Sequence, residues 1–283
     1  MATFTNKATL SYNGGSVDSN TVTGTFLETL AVTKTALTQE YAGGTRITYA
    51  ISLVNTGTAA FTGLTLTDDL GGYPFDGTLV YPLQFEEGSL LYYVNGVLQP
   101  TLTPTSTQPL TIGGISVPAG GNALVLYVAE VGGAAPLDVG GAITNVVTVS
   151  GGGLPESLTA TETVTAVQEP ALTITKALSP VAVPENGTVT YTFVIENSGN
   201  TAAVATDDLT VTDLFDPILE ITSVTLDGVV LTEGVGYTYD PATGAFATVP
   251  GVITVPAATY TQAPDGTYVL DPGAAVLVVT GTI

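Results

Sequence analysis

Hydrophobic and polar residues alternate with a period of two along most of this chain. Clear runs occur at 46–54, 64–67 and 189–195, and they are rich in β-branched and aromatic residues. Such alternation is typical of half-buried β-strands. Asn-Gly at 95–96 and Asp-Gly at 227–228 each join two such runs, which predicts hairpins with two-residue turns. With no amphipathic helical pattern, the sequence predicts an all-β fold of antiparallel β-sandwiches.

An internal repeat organises the chain. The run Leu-Ala-Val-Thr-Lys, which ends at Lys34, corresponds to Leu-Thr-Ile-Thr-Lys, which ends at Lys176. At the same spacing, Tyr49 corresponds to Tyr191, and Asn-Thr-Gly at 55–57 to Asn-Ser-Gly further on. We therefore predict two copies of one β domain. The predicted segments are an N-terminal donor strand or hairpin at 1–28, a first sandwich at 29–168 and a second, incomplete sandwich at 169–283.

The repeated residues resemble a known family, the conserved repeat domain numbered eleven among domains of unknown function. In the first copy the motif residues are Thr33, Lys34, Tyr49, 55–57, 67–70 and 144–149. The resemblance extends over about the whole chain, in two copies, although the usual proline after Asp-x-Leu is replaced by Gly71 and Phe215. It implies tandem immunoglobulin-like sandwiches of bacterial or archaeal surface proteins, with a structural or adhesive role and no enzyme activity.

Composition excludes most other functions. The chain of 283 residues has 4 Lys+Arg against 25 Asp+Glu, a formal net charge of −21. Such a surface disfavours binding to nucleic acids and to anionic lipids. The sequence lacks Cys and His, which excludes thiol nucleophiles, disulfides, zinc sites and Ser-His-Asp triads. Aspartates at 207, 208, 213 and 216 fit no defined calcium loop. We therefore expect no metal, no cofactor and no enzyme beyond autocatalysis.

The N-terminus lacks the basic and apolar regions of a signal peptide. No apolar run approaches the roughly 20 residues of a membrane-spanning helix, so we predict no membrane insertion. A mature form, a non-classical export route and an intracellular protein all stay open on these grounds. The family resemblance favours an extracellular location, on a cell or spore surface.

The closing strand of the first copy, at 142–149, has no counterpart at the end of the second copy. The N-terminal run 4–10 matches that closing strand, with Phe4 over Ile143 and Asn6 over Asn145. A sandwich without its last strand exposes an unpaired edge and a groove of core side chains. We therefore predict donor-strand complementation. The inward residues of the donor strand are Phe4, Asn6, Ala8 and Leu10.

Because donor and acceptor lie at opposite ends of one chain, the predicted contact is head-to-tail and propagates into a homopolymer. This predicts the subunit of a pilus-like extracellular filament. Two structural alternatives stay open: the strand completes its own second domain, or the sequence is a piece of a longer repeat protein. The functional alternative is a cell-surface adhesin or spacer module that binds a host protein or glycan.

Alternation also places polar residues inside both sandwiches. In the first copy Lys34, Asp68 and Asn145 point inward. In the second copy Lys176 and Asp213 do so, and Asn6 of the next subunit would join them. A buried ammonium group needs a partner. One interpretation is a buried Lys–Asp ion pair completed by Asn.

The other interpretation is a spontaneous isopeptide bond. An apolar site lowers the pKa of Lys and raises that of Asp. Neutral Lys Nζ then attacks the Asn amide carbon, while protonated Asp polarises the carbonyl and moves protons as ammonia leaves. By analogy with pilins and adhesins of similar fold, the hypothesis is an internal Lys34–Asn145 bond assisted by Asp68. An intersubunit Lys176–Asn6 bond would be assisted by Asp213. Asp69 is a fallback acid whose parity points it outward.

Overall fold

The computed structural model describes residues 3–25 and 29–283; the parts of the predicted donor segment at 1–2 and 26–28 lie outside the described residues. Antiparallel strand pairs build its sheets, and one 3-10 turn, Ala205–Asp207, is the helical element that the described residues form. The predicted all-β fold of antiparallel sandwiches is confirmed. The chain divides into two compact units, which consist of Met1–Pro136 with Gly141–Thr165 and of Leu137–Gly140 with Ala166–Ile283.

The N-terminal residues of unit 1 form one long hairpin. Its strands are β1 (Thr3–Asn6), β2 (Thr9–Tyr12), β3 (Gly15–Asp18) and β4 (Val22–Thr25). Strand β1 pairs with β4, and β2 pairs with β3. Nearly every residue of the hairpin is exposed. Lys7 Nζ donates to Asp18 Oδ2 across the hairpin at 2.7 Å.

The rest of unit 1 is a sandwich of two sheets. Its strands are β5 (Leu30–Ala36), β6 (Glu40–Tyr41), β7 (Arg46–Asn55), β8 (Phe61–Asp68), β9 (Tyr73–Phe75), β10 (Thr78–Val80), β11 (Leu83–Phe85), β12 (Leu91–Val94), β13 (Val97–Leu98), β14 (Ser106–Thr107), β15 (Leu110–Val117), β16 (Asn122–Val131), β17 (Ala142–Gly151) and β18 (Leu158–Ala166). One sheet has the order β13-β12-β16-β7-β5, with β11 on β16, and the other has the order β14-β15-β8-β17-β18-β6. A small hairpin pairs β9 with β10.

The core of unit 1 follows the alternation of its strands. On β7, every second side chain from Ile47 to Leu53 is fully buried, and Leu64 and Leu66 of β8 are buried as well. On β17 the inward positions include Val147 and Val149, which are also fully buried. A strand places successive side chains on opposite faces, so period-two sequences of this kind bury one face of each sheet. The core therefore lies between the two sheets, where the inward polar residues also lie.

Both predicted two-residue turns are present. The Asn95–Gly96 turn joins β12 to β13, and both residues have positive φ, 48° and 78°. Asp227 and Gly228 adopt the same conformation in unit 2, with φ of 49° and 80°. Asn, Asp and Gly tolerate this left-handed region, which matches the twist of antiparallel strands.

Unit 2 repeats the first sheet but has a smaller second sheet. Its strands are β19 (Leu172–Ser179), β20 (Thr188–Asn197), β21 (Thr212–Leu214), β22 (Glu220–Leu226), β23 (Val229–Val230), β24 (Tyr237–Asp240), β25 (Ala245–Thr248), β26 (Thr259–Gln262), β27 (Tyr268–Asp271) and β28 (Gly273–Thr282). The order is β19-β20-β28-β22-β23 in one sheet and β21-β25-β24 in the other, with β26 and β27 as a separate pair. The core of unit 2 is centred on Phe193, Phe215 and Leu277.

Candidate functional site

A buried ion pair lies at the centre of unit 1. Lys34 Nζ donates to Asp68 Oδ2 at 2.6 Å, and both side chains are fully excluded from solvent. Strand β5 supplies Lys34 and β8 supplies Asp68, so the pair bridges the two sheets. The Lys34 ammonium also lies 4.9 Å from the centroid of the Tyr49 ring, a distance suited to a cation–π contact. The inward parity predicted from the sequence places both charges in the core.

Tyr127 connects this ion pair to Asn145. Its hydroxyl donates to Asp68 Oδ2 at 2.7 Å and accepts from Asn145 Nδ2 at 3.2 Å. The other carboxylate oxygen, Asp68 Oδ1, accepts from the Leu70 backbone N–H at 3.1 Å. The structure therefore brings the three predicted residues of repeat 1 together, and Tyr127 lies between the acid and the amide.

Two buried polar atoms next to this group lack hydrogen bonds. Asn145 Oδ1 and the Tyr49 hydroxyl find no hydrogen-bond partner within the described parts of the chain. Burial raises the pKa of the Tyr49 hydroxyl, and the nearby Asn145 side chain opposes this rise. The contact between these two side chains does not meet the geometry of a hydrogen bond. An unsatisfied buried polar group costs about 1–3 kcal/mol.

Burial shifts the pKa of each titratable group at this site. Desolvation lowers the pKa of the Lys34 ammonium, and attraction to Asp68 opposes that shift. Desolvation raises the pKa of the Asp68 carboxyl, against the opposing effects of Lys34 and Tyr127. Both shifts favour the neutral pair, because a low-dielectric environment penalises each charged form. Burial also raises the pKa of Tyr127 well above its ordinary value, so its hydroxyl stays protonated.

The corresponding pair in unit 2 is exposed. Lys176 Nζ donates to Asp213 Oδ2, but 41% of the Lys176 side chain and 17% of the Asp213 side chain are accessible. The ammonium lies 4.5 Å from the centroid of the Tyr191 ring, so the aromatic neighbour of unit 1 is repeated. Unit 2 therefore contains the Lys and Asp of unit 1 in an open site.

Strand pairing explains why the unit 2 site is open. In unit 1, β8 lies between β15 and β17. Its counterpart β21 pairs with β25 and has no second strand partner among the described residues. The edge that β17 covers in unit 1 is therefore uncovered in unit 2.

An apolar groove lies beside this uncovered edge. It has a volume of about 170 Å³, and its lining includes Leu172 and Ile174 of β19 and Val211 next to β21. Ile174 is 54% exposed, and every residue of β19 is exposed, whereas Leu30 and Lys34 of the equivalent β5 are buried. The groove thus presents side chains whose equivalents in unit 1 belong to the core.

The predicted donor residues lie on the exposed hairpin. Phe4 and Leu10 are 51% and 67% exposed, and Asn6 is exposed opposite Val22. Their matched residues on β17, Ile143, Asn145 and Val149, are all buried. Asn6 is therefore not in the environment of its counterpart Asn145 in this structure.

Other predicted groups do not join the site. Asp69 Oδ1 accepts from the backbone N–H groups of Val146 and Gly71, at 2.8 and 2.9 Å, and so points away from Lys34. Within residues 3–25 and 29–283, no group of three or more acidic side chains could hold a metal ion. The same residues contain no helix that is long and apolar enough to cross a membrane.

Tyr127 is the member of this buried hydrogen-bonded group that the sequence-based prediction missed. It has inward parity on β16, together with the buried residues Ala123 and Val125. In unit 2 the residue at this position is Val279. Tyr191, the counterpart of Tyr49, pairs with Val279, whereas Tyr49 pairs with Tyr127. The inward tyrosine at this strand position is therefore present in the first repeat and absent from the second, so comparison of the two repeats does not reveal it.

Comparisons with known proteins find similarity to solved structures of low sequence identity. No family model matches the chain, and no curated protein matches it. The pilus backbone protein RrgB of Streptococcus pneumoniae is 12% identical at a TM-score of 0.36, and the alignment covers 87% of this chain and 55% of that one. The major pilin BcpA of Bacillus cereus is 12% identical at a TM-score of 0.36, with 96% and 73% covered. A collagen-binding domain of a Staphylococcus aureus adhesin is 14% identical at 0.31, with 50% and 99% covered. The chain thus spans about half the length of the first of these proteins.

Proposed function

We propose that this protein is the structural subunit of an extracellular, pilus-like filament. In the filament, the N-terminal hairpin of one copy completes unit 2 of the next. The observation that carries the proposal is the uncovered edge of β21, because its counterpart β8 is covered by β17. A strand added to such an edge gains main-chain hydrogen bonds, and its alternate side chains fill the groove.

Unit 1 supplies the register of the proposed contact. There, Val147 lies opposite Asp68 and Thr148 lies opposite Thr67. Transferred through the repeat, this register places Ala8 opposite Asp213 and Thr9 opposite Thr212 of the neighbouring subunit. The donor residues Phe4, Asn6, Ala8 and Leu10 then point into the groove, as Ile143, Asn145, Val147 and Val149 point into the core of unit 1.

The donated element is the whole hairpin. In unit 1, β17 pairs with β18, with Asn145 opposite Glu162. In the N-terminal hairpin, Asn6 lies opposite Val22 and Leu10 opposite Val17. The hairpin therefore has the same two-stranded form as the β17–β18 element whose place it takes.

Docking would also complete the second crosslinking site. The donor strand would cover the partly exposed Lys176 and Asp213 and bring Asn6 next to them. In unit 1, burial of the corresponding pair favours the neutral forms of Lys34 and Asp68. We propose that bonds with loss of ammonia then form between Lys176 and Asn6, assisted by Asp213, and between Lys34 and Asn145, assisted by Asp68. Bond formation would thus follow correct docking.

Head-to-tail contacts of this kind propagate into open fibres unless a ring closes. The family resemblance of the repeats supports an extracellular location on a cell or spore surface. The function is mechanical, since the chain contributes strand exchange and covalent crosslinks rather than turnover of a substrate.

Electron microscopy of the purified chain tests the assembly. We expect filaments from the full chain and none from a variant without residues 1–12. The matched control is Asn6→Ala, which keeps the strand but removes the acceptor amide. It should form filaments that dissociate to monomers on a denaturing gel, whereas the unaltered chain gives a ladder. Monodisperse full-length monomers would contradict the proposal and favour a binding module.

The register is tested with cysteines, because the chain contains none. Thr9→Cys combined with Thr212→Cys should yield disulfide-linked oligomers under mild oxidation. The control combines Ser11→Cys with Thr212→Cys, which displaces one cysteine by two residues to a diagonal distance of about 7–8 Å between Cα atoms. Cysteines with Cα atoms more than about 7 Å apart are not bridged without backbone movement. Equal crosslinking in both variants would contradict the register.

A further inference from the structure

A continuous hydrogen-bonded chain runs through the core of unit 1, from the lysine to the amide. Lys34 Nζ and the Tyr127 hydroxyl both donate to Asp68 Oδ2, at 2.6 and 2.7 Å. Asn145 Nδ2 donates to the Tyr127 hydroxyl oxygen at 3.2 Å. In this chain Tyr127, rather than Asp68, contacts the nitrogen that would leave as ammonia.

We propose that the Tyr127 hydroxyl carries a proton from Asp68 to the departing amide nitrogen when the Lys34–Asn145 bond forms. The inference rests on the proposed function, because it concerns the chemistry of that crosslink. It adds a fourth residue to the three that the sequence predicts, and it assigns a chemical role to the buried hydroxyl between them.

The proton transfers balance without any further reagent. Neutral Lys34 Nζ attacks Asn145 Cγ, and the carbonyl electrons move to Oδ1. In the resulting tetrahedral adduct Nδ2 is an amine with a free lone pair, so the Tyr127 O–H turns from Asp68 Oδ2 toward Nδ2, and the protonated Asp68 donates to the Tyr127 oxygen. Asp68 then passes its proton to the Tyr127 oxygen while Tyr127 passes its own to Nδ2, and the surplus proton on Nζ returns to Asp68. When the carbonyl re-forms, the Cγ–Nδ2 bond breaks and ammonia leaves. Lys34 and Asn145 are then joined by an amide, and Asp68 and Tyr127 are unchanged.

The properties of Tyr127 suit such a relay. Its ring is fully buried and stacks on Tyr49 with centroids 5.4 Å apart, which fixes the position of the hydroxyl oxygen while the O–H bond itself can still rotate. Burial raises the pKa of Tyr127, so a lasting phenolate is unfavourable and the hydroxyl must gain one proton as it gives up another. Hydrogen bonds at a reacting site commonly shorten in the transition state, which a distance of 3.2 Å to Nδ2 allows.

Unit 2 provides an internal comparison. Val279 occupies the strand position of Tyr127, since Tyr191 pairs with Val279 whereas Tyr49 pairs with Tyr127. The proposed intersubunit bond must therefore form without this hydroxyl, through direct contact between Asp213 and Asn6. Loss of the Tyr127 hydroxyl should slow the internal bond and leave the intersubunit ladder intact.

The test follows the intact mass of freshly synthesised full-length chains over time. In Tyr127→Phe, loss of the internal ammonia should be about a hundredfold slower or more, the usual contribution of a positioned acid–base group. The control is Tyr41→Phe, which removes another hydroxyl from the core of unit 1, one that donates to the Pro136 carbonyl at 2.6 Å. Tyr41→Phe should react at the unaltered rate. Peptide mapping assigns each bond to its residues.

A second readout separates proton transfer from packing. The solvent deuterium isotope effect on the internal rate should fall in Tyr127→Phe, because fewer protons move together. A Tyr127→Phe variant that reacts at the unaltered rate overturns the relay but leaves the crosslink standing. Equal slowing in Tyr41→Phe also overturns it, since a general packing defect would then explain the loss. Unaltered chains without any loss of ammonia would overturn both the relay and the proposed internal crosslink.

Discussion

At the residue scale, the two repeats place one ion pair in two environments. Lys34 and Asp68 have fully buried side chains, whereas 41% of the Lys176 side chain is accessible. Removal of one partner from a buried pair leaves an uncompensated charge in an apolar core, while an exposed charge is still solvated by water. The two lysines should therefore differ in their contribution to stability.

Lys34→Met should lower the free energy of unfolding of unit 1 by about 3–5 kcal/mol, because Asp68 loses its buried partner. Lys176→Met should cost unit 2 about 1 kcal/mol or less, since that pair is exposed. Both lysine variants are made in the Asn145→Ala chain, because that chain lacks the acceptor amide of repeat 1. Urea unfolding with hydrogen exchange of β7 and β20 peptides separates the two units. Equal losses would contradict the difference in burial.

The stability of unit 1 should also depend on pH through this pair. The folded pKa of Asp68 lies above its ordinary value of 3.8, so its contribution is greatest below pH 3.8 and is lost as the pH rises through the folded pKa. The folded pKa of Lys34 lies below 10.5, so its contribution is present above pH 10.5 and is lost as the pH falls through the folded pKa.

The pair should therefore contribute least between the two folded pKa values. The measurement compares the free energies of unfolding of two chains across a range of pH. One is the Asn145→Ala chain, and the other also has Lys34→Met and Asp68→Leu. Because the second chain lacks both titrating groups, the difference isolates the pair. We expect a minimum at intermediate pH. A maximum there would show that attraction between the charges outweighs their desolvation.

At the element scale, the donor hairpin and the β17–β18 pair distribute volume differently. Phe4 lies opposite Gly24 in the hairpin, whereas Ile143 lies opposite Val164 in unit 1. A Cβ atom on Gly24 would clash with the Phe4 ring. In the proposed docking, a large and a small residue of the hairpin would occupy the place of two residues of intermediate size in unit 1.

Gly24→Val should weaken assembly by about 1–3 kcal/mol, the usual cost of overpacking, which is about ten- to hundredfold in the association constant. Phe4→Ile combined with Gly24→Val recreates the pair of unit 1 and should restore filament formation. Sedimentation at a series of protein concentrations measures both. No rescue in the double variant would mean that the hairpin does not take the place of β17–β18.

Sequence periodicity was a good guide to strands and inward faces. Period-two alternation determines which side of a strand a residue occupies, so Lys34, Asp68 and Asn145 could be assigned to the core before their contacts were known. The hydrogen bonds of Tyr127 could not be predicted in this way. They depend on the distance between β16, β8 and β17, which no local pattern encodes. The exposure of every residue of β19 was equally hidden, since its sequence matches that of β5, where Leu30 and Lys34 are buried.

At the scale of the whole molecule, the net charge of −21 should act between the proposed filaments. Like-charged surfaces repel over a Debye length, about 30 Å at 0.01 M salt and about 3 Å at 1 M. Filaments should therefore be dispersed at low salt and associate side by side at high salt, as followed by light scattering and microscopy. Bundles that dissolve when salt is added would instead indicate attraction between opposite charges.

The strand β17 already covers the edge of β8 in unit 1, so within the described residues β21 is left as the edge of this kind for a donor. In the proposed assembly, each chain would be what polymer chemists call a bifunctional monomer of A–B type, with one hairpin and one acceptor. Such a monomer gives linear, unbranched products with two different ends. A chain whose acceptor is blocked but whose hairpin is intact would act as a chain stopper, and its mole fraction would determine the mean length of the filaments.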